Sequence, residues 1–315
     1  MKPTPASPSP SSAPSSLSLT ARELATQPDC WRRAADAAAG AAGLPLPLPG
    51  ERVAVTGCGT SWFMAQSYAA LREAAGHGET DAFPASGFPA ARPYDRVVAI
   101  TRSGTTTEVL QLLAGLRGRV PTLAVTADPK TPVREAADEV AVLDWADEES
   151  VVQTRFATTA LAFLRAGLPE GAAAVASAAA DAARAVADPL PEAALAADQW
   201  TFLGGGWTYG LAQEAALKMR EAAGAWTEAY PAMEYRHGPV AIAAPGRVVW
   251  AFGALPEGLA ADVARTGATL AGGSGEDDPM AELIRAQRLA VTIAESRGLN
   301  PDAPRNLTRS VVLPH

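Results

Sequence analysis

Cysteine and histidine are scarce in this chain. Two cysteines, Cys30 and Cys58, in 315 residues cannot form a disulfide framework, and three scattered histidines, His77, His237 and His315, leave no metal-ligand spacing. A reducing cytosol and no metal are the expectation. Long apolar runs are missing too: the alanine-rich stretch 171–186 is interrupted by Asp181 and Arg184, so no bilayer-spanning helix is expected. There is no surplus of basic residues. A formal net charge of −8, spread without long runs, argues against nucleic acid and against an anionic membrane surface as partners. A small anionic ligand stays open, because helix N-termini hold phosphate locally whatever the net charge. The opening MKPTPASPSPSSAPSSLS has a single lysine and no apolar core, so residues 1–18 read as a disordered leader rather than a signal peptide.

What is present suits a globular α/β protein. At 48% hydrophobic content the chain can bury one large core or two medium ones, and its length favours two domains. Residues 19–42 read as helix, broken at Pro28. A short strand at 53–56 then runs into Gly57-Cys58-Gly59-Thr60-Ser61 and a helix from about Trp62 to Ala75. The same grammar returns as a strand at 97–100, the loop Thr101-Arg102-Ser103-Gly104-Thr105-Thr106-Thr107 and a helix at 108–116. A third strand spans 121–126. Such alternation predicts parallel units with ligands at the strand C-terminal ends. Helices are expected over 149–168 and on to about 188, where Pro189 and Pro191 mark a boundary. This divides a first domain, 19–188, from a smaller second one, 189–315. Strands at 200–203, 247–252 and 268–270, a long helix at 280–297 and a last short strand at 310–313 complete an apparent duplication.

Two loops of Ser, Thr and Gly between strand and helix offer backbone N–H groups, hydroxyl donors and the positive end of a helix dipole. Simple N-capping explains one such hydroxyl, worth ~1 kcal/mol. Two loops with more hydroxyls than caps need point to a phosphate on Thr60, Ser61, Ser103, Thr105 and Thr106. Neither loop has the lysine of a P-loop, and the first lacks the third glycine of a dinucleotide fingerprint, so no nucleotide cofactor is expected.

The segment 202–240, FLGGGWTYGLAQEAALKMREAAGAWTEAYPAMEYRHGPV, is the densest in chemistry. At ~100° per residue, Glu214, Lys218 and Glu221 share one arc of the helix after Gly204-Gly205-Gly206. An exposed ion pair worth ~0.3–0.5 kcal/mol would be the plain alternative. Gln213 and Arg220, however, already supply a polar face elsewhere on the wheel, so the Glu/Lys arc is expected to face a cleft. His237 sits in a Gly-Pro turn that exposes its imidazole. A loop histidine satisfied in place is the alternative there. His77 reads as a surface turn, His315 as tail, and Cys58 as a small turn residue rather than a nucleophile.

At these residues the sequence resembles the sugar isomerase (SIS) family, and most closely double-SIS proteins similar to the isomerase half of glucosamine-6-phosphate synthase and to related amino-sugar-phosphate deaminases and deglycases. GCGTS, TRSGTTTE, EESVVQTR, EAALKMREAAG, EAYPAMEYRHGP and PRNLTRSV occur in the family's order across about residues 20–315. The resemblance implies two SIS-type α/β/α sandwich subdomains with parallel sheets, pseudo-duplicated, and a cytoplasmic homodimer with shared active sites. It places a sugar phosphate on Thr60, Ser61, Thr101, Arg102, Ser103, Thr105 and Thr106, with Gly59 and the Val151 backbone lining the site. Glu221 becomes the base that moves a proton between C1 and C2, with Lys218 nearby, and His237, from the neighbouring subunit, promotes ring opening.

Three departures matter. Arg309 stands where the synthase has a tail lysine, and a guanidinium cannot form a Schiff base. Arg102 and Thr105 replace a glutamine and a glutamate. Nothing resembling the glutaminase half is present, so glutamine-dependent synthesis is not expected of this chain alone. The expected function is conversion of glucosamine 6-phosphate to fructose 6-phosphate and ammonia through an enolamine, with Lys218 and Arg309 stabilising charge and neither metal nor organic cofactor required. A fructosamine-phosphate deglycase and a non-catalytic sugar-phosphate sensor are the alternatives. The absence of a helix-turn-helix or basic patch weighs against the sensor.

Overall fold

The computed structural model describes residues 17–40 and 46–314. The leader up to residue 16 and His315 therefore lie outside the described residues. Ser18, assigned to that leader, caps α1 (Leu19–Ala25): its hydroxyl accepts the Ala21 N–H at 3.2 Å. Pro28 falls in the first turn of α2 (Gln27–Ala39), where a missing N–H costs nothing, so it starts a helix as well as ending the previous one.

The first sheet is built from β1 (Val53–Gly57), α3 (Thr60–Ala74), β2 (Thr80–Pro84), β3 (Arg96–Ile100), α4 (Thr107–Leu116), β4 (Thr122–Thr126), α5 (Val133–Ala136) and β5 (Glu139–Val142). Its five strands are all parallel in the order β2-β1-β3-β4-β5. Val53, Ala54 and Val55 are fully buried, as expected for an apolar strand covered on both faces. Three helices, α6 (Arg155–Ala166), α7 (Gly171–Ala187) and α8 (Glu192–Leu195), lead to the second sheet. That sheet comprises β6 (Gln199–Gly204), α9 (Thr208–Ala223), β7 (Thr227–Pro231), β8 (Arg247–Phe252), α10 (Leu259–Thr266) and β9 (Thr269–Gly272), parallel in the order β7-β6-β8-β9. The long helix α11 (Pro279–Ser296) and a tail follow.

The duplication reaches side-chain detail. Edge strand β2 reads Thr-Asp-Ala-Phe-Pro and edge strand β7 reads Thr-Glu-Ala-Tyr-Pro, each beside the first strand of its sheet. Near the end of α3, Arg72 donates to Thr80 Oγ1 at 2.8 Å; near the end of α9, Arg220 donates to Thr227 Oγ1 at 3.3 Å. One apolar core runs through both halves, from Trp31 and Val55 through Phe163 to Trp200 and Leu289. Packing of α2 on α6 and α7, α3 on α9, and α11 on α7 and α9 fills it. Gly210 sets the α3–α9 approach. A Cβ there would stand 2.3 Å from the Phe63 carbonyl and 2.3 Å from the Ser67 hydroxyl, so only glycine lets the two helices come so close.

Several expectations need correction. Strands β2 and β7 are not marked in the sequence, because a single Thr-acid-Ala-aromatic-Pro run carries no apolar periodicity. The helix expected from Glu149 begins only at Arg155. The reason is Glu148, whose buried carboxylate accepts the N–H groups of Thr154 (2.6 Å), Arg155 (2.8 Å) and Phe156 (3.3 Å) and so caps the helix from six residues upstream of its first donor. Residues 310–313 form no strand; they lie across the start of α4 instead of beside a strand. His77 is buried rather than on the surface, and burial, reinforced by the Arg72 charge, pulls its pKa down.

Candidate active site

A cavity of about 220 Å³ opens at the C-terminal ends of β1 and β3. That is where parallel sheets place ligands, because the helix N-termini converge there. Gly57, the last residue of β1, turns the chain so tightly that a Cβ would stand 2.7 Å from that of Ser61, and Gly59 follows with φ +54°. These glycines deliver Thr60 and Ser61 to the cavity at the head of α3. The loop after β3 delivers Thr101, Arg102, Ser103 and Thr106 to the opposite wall. Val151 and Gln153 from the loop before α6, Glu221 from α9, and the tail from Leu307 to Val311 close it.

The Glu/Lys arc is divided by depth. Glu221 faces the cavity. Lys218 is buried behind it, ion-paired with Glu221, 3.1 Å from Thr60 Oγ1 and 3.4 Å from Glu214 Oε1. Burial works against the Lys218 charge, but the Glu214 and Glu221 carboxylates outweigh it and hold the ammonium above its usual range. Glu214 is wholly buried, and neither of its oxygens has a hydrogen-bond partner. Burial pushes its carboxyl up to about 8, with Lys218 opposing and Glu221 adding to the rise. Near neutral pH, then, Glu214 keeps its proton and Lys218 pairs one-to-one with Glu221.

The structure gathers Gly59, Thr60, Ser61, Thr101, Arg102, Ser103, Thr106, Val151, Glu221 and Arg309 around one cavity and leaves three expected residues elsewhere. Thr105 is off the wall and bonds to Ser103 at 3.0 Å and Ser310 at 2.9 Å. Lys218 supports Glu221 from behind. His237 is exposed on a short 3-10 turn, Glu234–His237, outside the cavity of its own chain. Arg102 lines the wall with its terminal nitrogens committed to backbone carbonyls, while its Nε is buried without a partner. The guanidinium donates to the carbonyls of Ser150 (3.1 Å), Val151 (3.2 Å) and Arg309 (3.1 Å) and lies 3.6 Å from Glu148. Burial pulls its pKa down while Glu148 opposes, and arginine stays charged regardless. Arg309 is likewise committed, to Asp147.

Some lining residues were not foreseen. Glu108, in the first turn of α4, and Gln153 both line the cavity, as do Thr308 and Ser310 of the tail. Glu108 follows the TRSGTTT loop directly, and that adjacency was the available signal; Thr308 and Ser310 flank Arg309 in the tail motif PRNLTRSV, of which the resemblance singles out only Arg309. Cys58 also lines the cavity, but burial and the neighbouring Glu108 push its thiol up to about 11, so it is no thiolate near neutral pH.

Two parallel sheets, each with a loop-to-helix turn at its first strand and with hydroxyl loops at the strand ends of the first, are the architecture of a double-SIS protein. More particularly, the chain is a homologue of the isomerase half of glutamine–fructose-6-phosphate aminotransferases. It is 31% identical over 264 residues to the isomerizing enzyme of Halobacterium salinarum, covering 69% of this chain and 44% of that protein. With the Aeropyrum pernix enzyme the identity is 28% over 270 residues, covering 69% and 43%. The chain thus spans less than half the length of these two relatives. Among solved structures, glucosamine-6-phosphate deaminase from Thermotoga maritima superposes with a TM-score of 0.78 at 25% identity, covering 94% of this chain and all of that one. The C-terminal domain of glucosamine-fructose-6-phosphate aminotransferase from Francisella tularensis gives 0.76 at 20% identity, covering 91% and 98%. No protein-family model matches the chain. Among the described residues no helix is long and apolar enough to cross a membrane.

Proposed function

We propose that the chain is an aldose–ketose isomerase of the deaminating kind, converting glucosamine 6-phosphate to fructose 6-phosphate and ammonia. The observation that carries this reading is Glu221: a carboxylate on the wall of a cavity that also carries two hydroxyl loops, backed by a buried lysine. In the open-chain substrate the C2 proton is acidified by the C1 aldehyde, and Glu221 removes it to give an enolamine. Return of that proton to C1 leaves a C2 imine, and water then replaces nitrogen with oxygen, releasing ammonia. Lys218 orients the carboxylate and offsets the charge that builds as the proton moves. Protonated Glu214 beneath them prevents a second negative charge from competing for Lys218. His237 of the partner subunit would open the sugar ring, since an imidazole shuttles protons near neutrality.

A fructosamine-phosphate deglycase is the second reading, and one feature favours it. Glu221 also borders a neighbouring cavity of about 570 Å³, lined by Arg220, Asn300, Arg305 and Asn306, which has room for a substituent on the departing nitrogen. There the proton would move in the opposite sense, from C1 to C2, leaving a C1 imine that water cleaves to release the amine, and the same carboxylate could serve.

Release of ammonia or amine from a panel of hexosamine 6-phosphates and fructosamine 6-phosphates, measured for wild type and Glu221→Gln, separates the readings. Ammonia from glucosamine 6-phosphate, lowered ~10²–10⁴-fold in the variant, is the expected result. Amine from the fructosamine series alone selects the deglycase. Tight phosphosugar binding with no turnover of any member selects the sensor.

A further inference from the structure

The hydroxyls of the second loop converge on a residue from the far end of the chain. Ser103 Oγ donates to Ser310 Oγ at 3.0 Å, Thr105 Oγ1 donates to it at 2.9 Å, and Thr106 Oγ1 lies 3.4 Å away. A hydroxyl carries one proton that rotates freely about its C–O bond, plus two lone pairs. Four hydroxyls held this close can bond to one another. With an acceptor-only phosphoryl group beside them, the three that line the cavity, Ser103, Thr106 and Ser310, can turn their protons inward without any backbone movement, while Thr105 keeps its bond to Ser310 from behind.

Ser310 does not reach this position by chance contact. The Arg102 guanidinium, 4% exposed, joins the carbonyl of Arg309 to those of Ser150 and Val151. On the other side of Ser310, the Thr107 N–H donates to the Val311 carbonyl at 3.2 Å and the Leu313 N–H donates to Thr107 Oγ1 at 2.9 Å. Arg102 and Thr105 are the two positions at which this loop departs from the pattern it resembles, and both hold the tail. A glutamine side chain at 102 has only one NH₂ group and could not join three carbonyls.

We propose that Ser310 is a phosphate-binding residue of this site and that Arg102 is the positioning residue that holds it there. The proposal rests on the reading of the cavity as a phosphosugar site. It makes the C-terminal tail a fixed wall of the phosphate subsite rather than a cover that must move aside. Arg102 thereby acts as a brace, with three N–H groups spent on backbone carbonyls.

The test is calorimetric titration of the full chain with fructose 6-phosphate, fructose and inorganic phosphate, beside steady-state kinetics on glucosamine 6-phosphate. Ser310→Ala is expected to weaken fructose 6-phosphate binding and raise KM roughly tenfold, as for a lost hydrogen bond to a charged group, with kcat changed less than about twofold. Ser310→Thr keeps the hydroxyl and is expected to restore the affinity. Arg102→Gln, which frees the tail, is expected to weaken phosphosugar binding with Ser310 intact, and adding Ser310→Ala to it should cost little more. Unchanged affinity in Ser310→Ala overturns the proposal. Tighter binding also overturns it, since Ser310 would then compete with the phosphate for the loop. If wild type binds neither phosphosugar, the phosphosugar reading itself falls and this proposal with it; wild-type binding that Ser310→Ala leaves intact refutes Ser310 alone.

Discussion

Glu214 is the residue whose state most depends on folding. In an unfolded chain its carboxyl releases its proton near the ordinary value of 4.5, but in the fold it keeps that proton up to about pH 8. The folded state thus binds more protons between those limits. The stability this linkage contributes is fully present below about 4.5 and is lost as pH rises through 8. Glu214→Gln carries no such proton. Its melting temperature is therefore expected to gain on wild type as pH is raised from about 6 to about 9, and parallel curves over that range would refute the assignment. The Glu214–Lys218–Glu221 arc was legible in sequence, because residues three and four apart on a helix share a face. Helical spacing does not tell which of the three faces the cavity, since depth is set by α3 packing on α9; only the family resemblance singled out Glu221.

At the scale of elements, the contact between α3 and α9 brings the two halves of the site together. It places Lys218 Nζ 3.1 Å from Thr60 Oγ1, across the junction of the duplicated units. Gly210→Ala would put a methyl group against the Phe63 carbonyl and the Ser67 hydroxyl. Overpacking of this kind costs ~1–3 kcal/mol, so chemical denaturation should show a lower midpoint, and turnover should fall as Lys218 and Thr60 separate. A variant as stable and active as wild type would mean that the helices can part freely. Strands β1, β3, β4, β6 and β8 were legible as short apolar runs. The start of α6 was not, since a carboxylate outside the helix decides it; nor were β2 and β7, whose pairing exists only once β1 and β6 are in place.

For the whole molecule, a second copy is expected to complete each site. His237 is exposed and outside the cavity of its own chain, and Trp226 and Met233 on the same segment are 80% and 52% exposed. Such apolar exposure beside the histidine proposed to open the ring suits a two-fold interface. If Glu221 and His237 act across that interface, Glu221→Gln and His237→Ala are each expected to be nearly inactive. Refolding them together should restore about a quarter of wild-type activity, because half of the random dimers are mixed and each holds one intact site. No recovery on mixing would place both residues in one subunit's site or remove His237 from the chemistry.

The amino-acid sequence alone determined the alternation of the central strands with helices, the duplication, the two hydroxyl loops and the charged arc of α9. All of these are local, written in periodicities and turn residues within a few positions of one another. Tertiary structure alone decided that Arg102 braces backbone carbonyls, that Arg309 pairs with Asp147, that Glu148 caps α6, and that Ser310 joins a loop some 200 residues earlier. The physical reason is that burial commits each donor and acceptor to whichever partner the packed elements bring within hydrogen-bond range, and no local pattern records a partner supplied by a distant part of the chain.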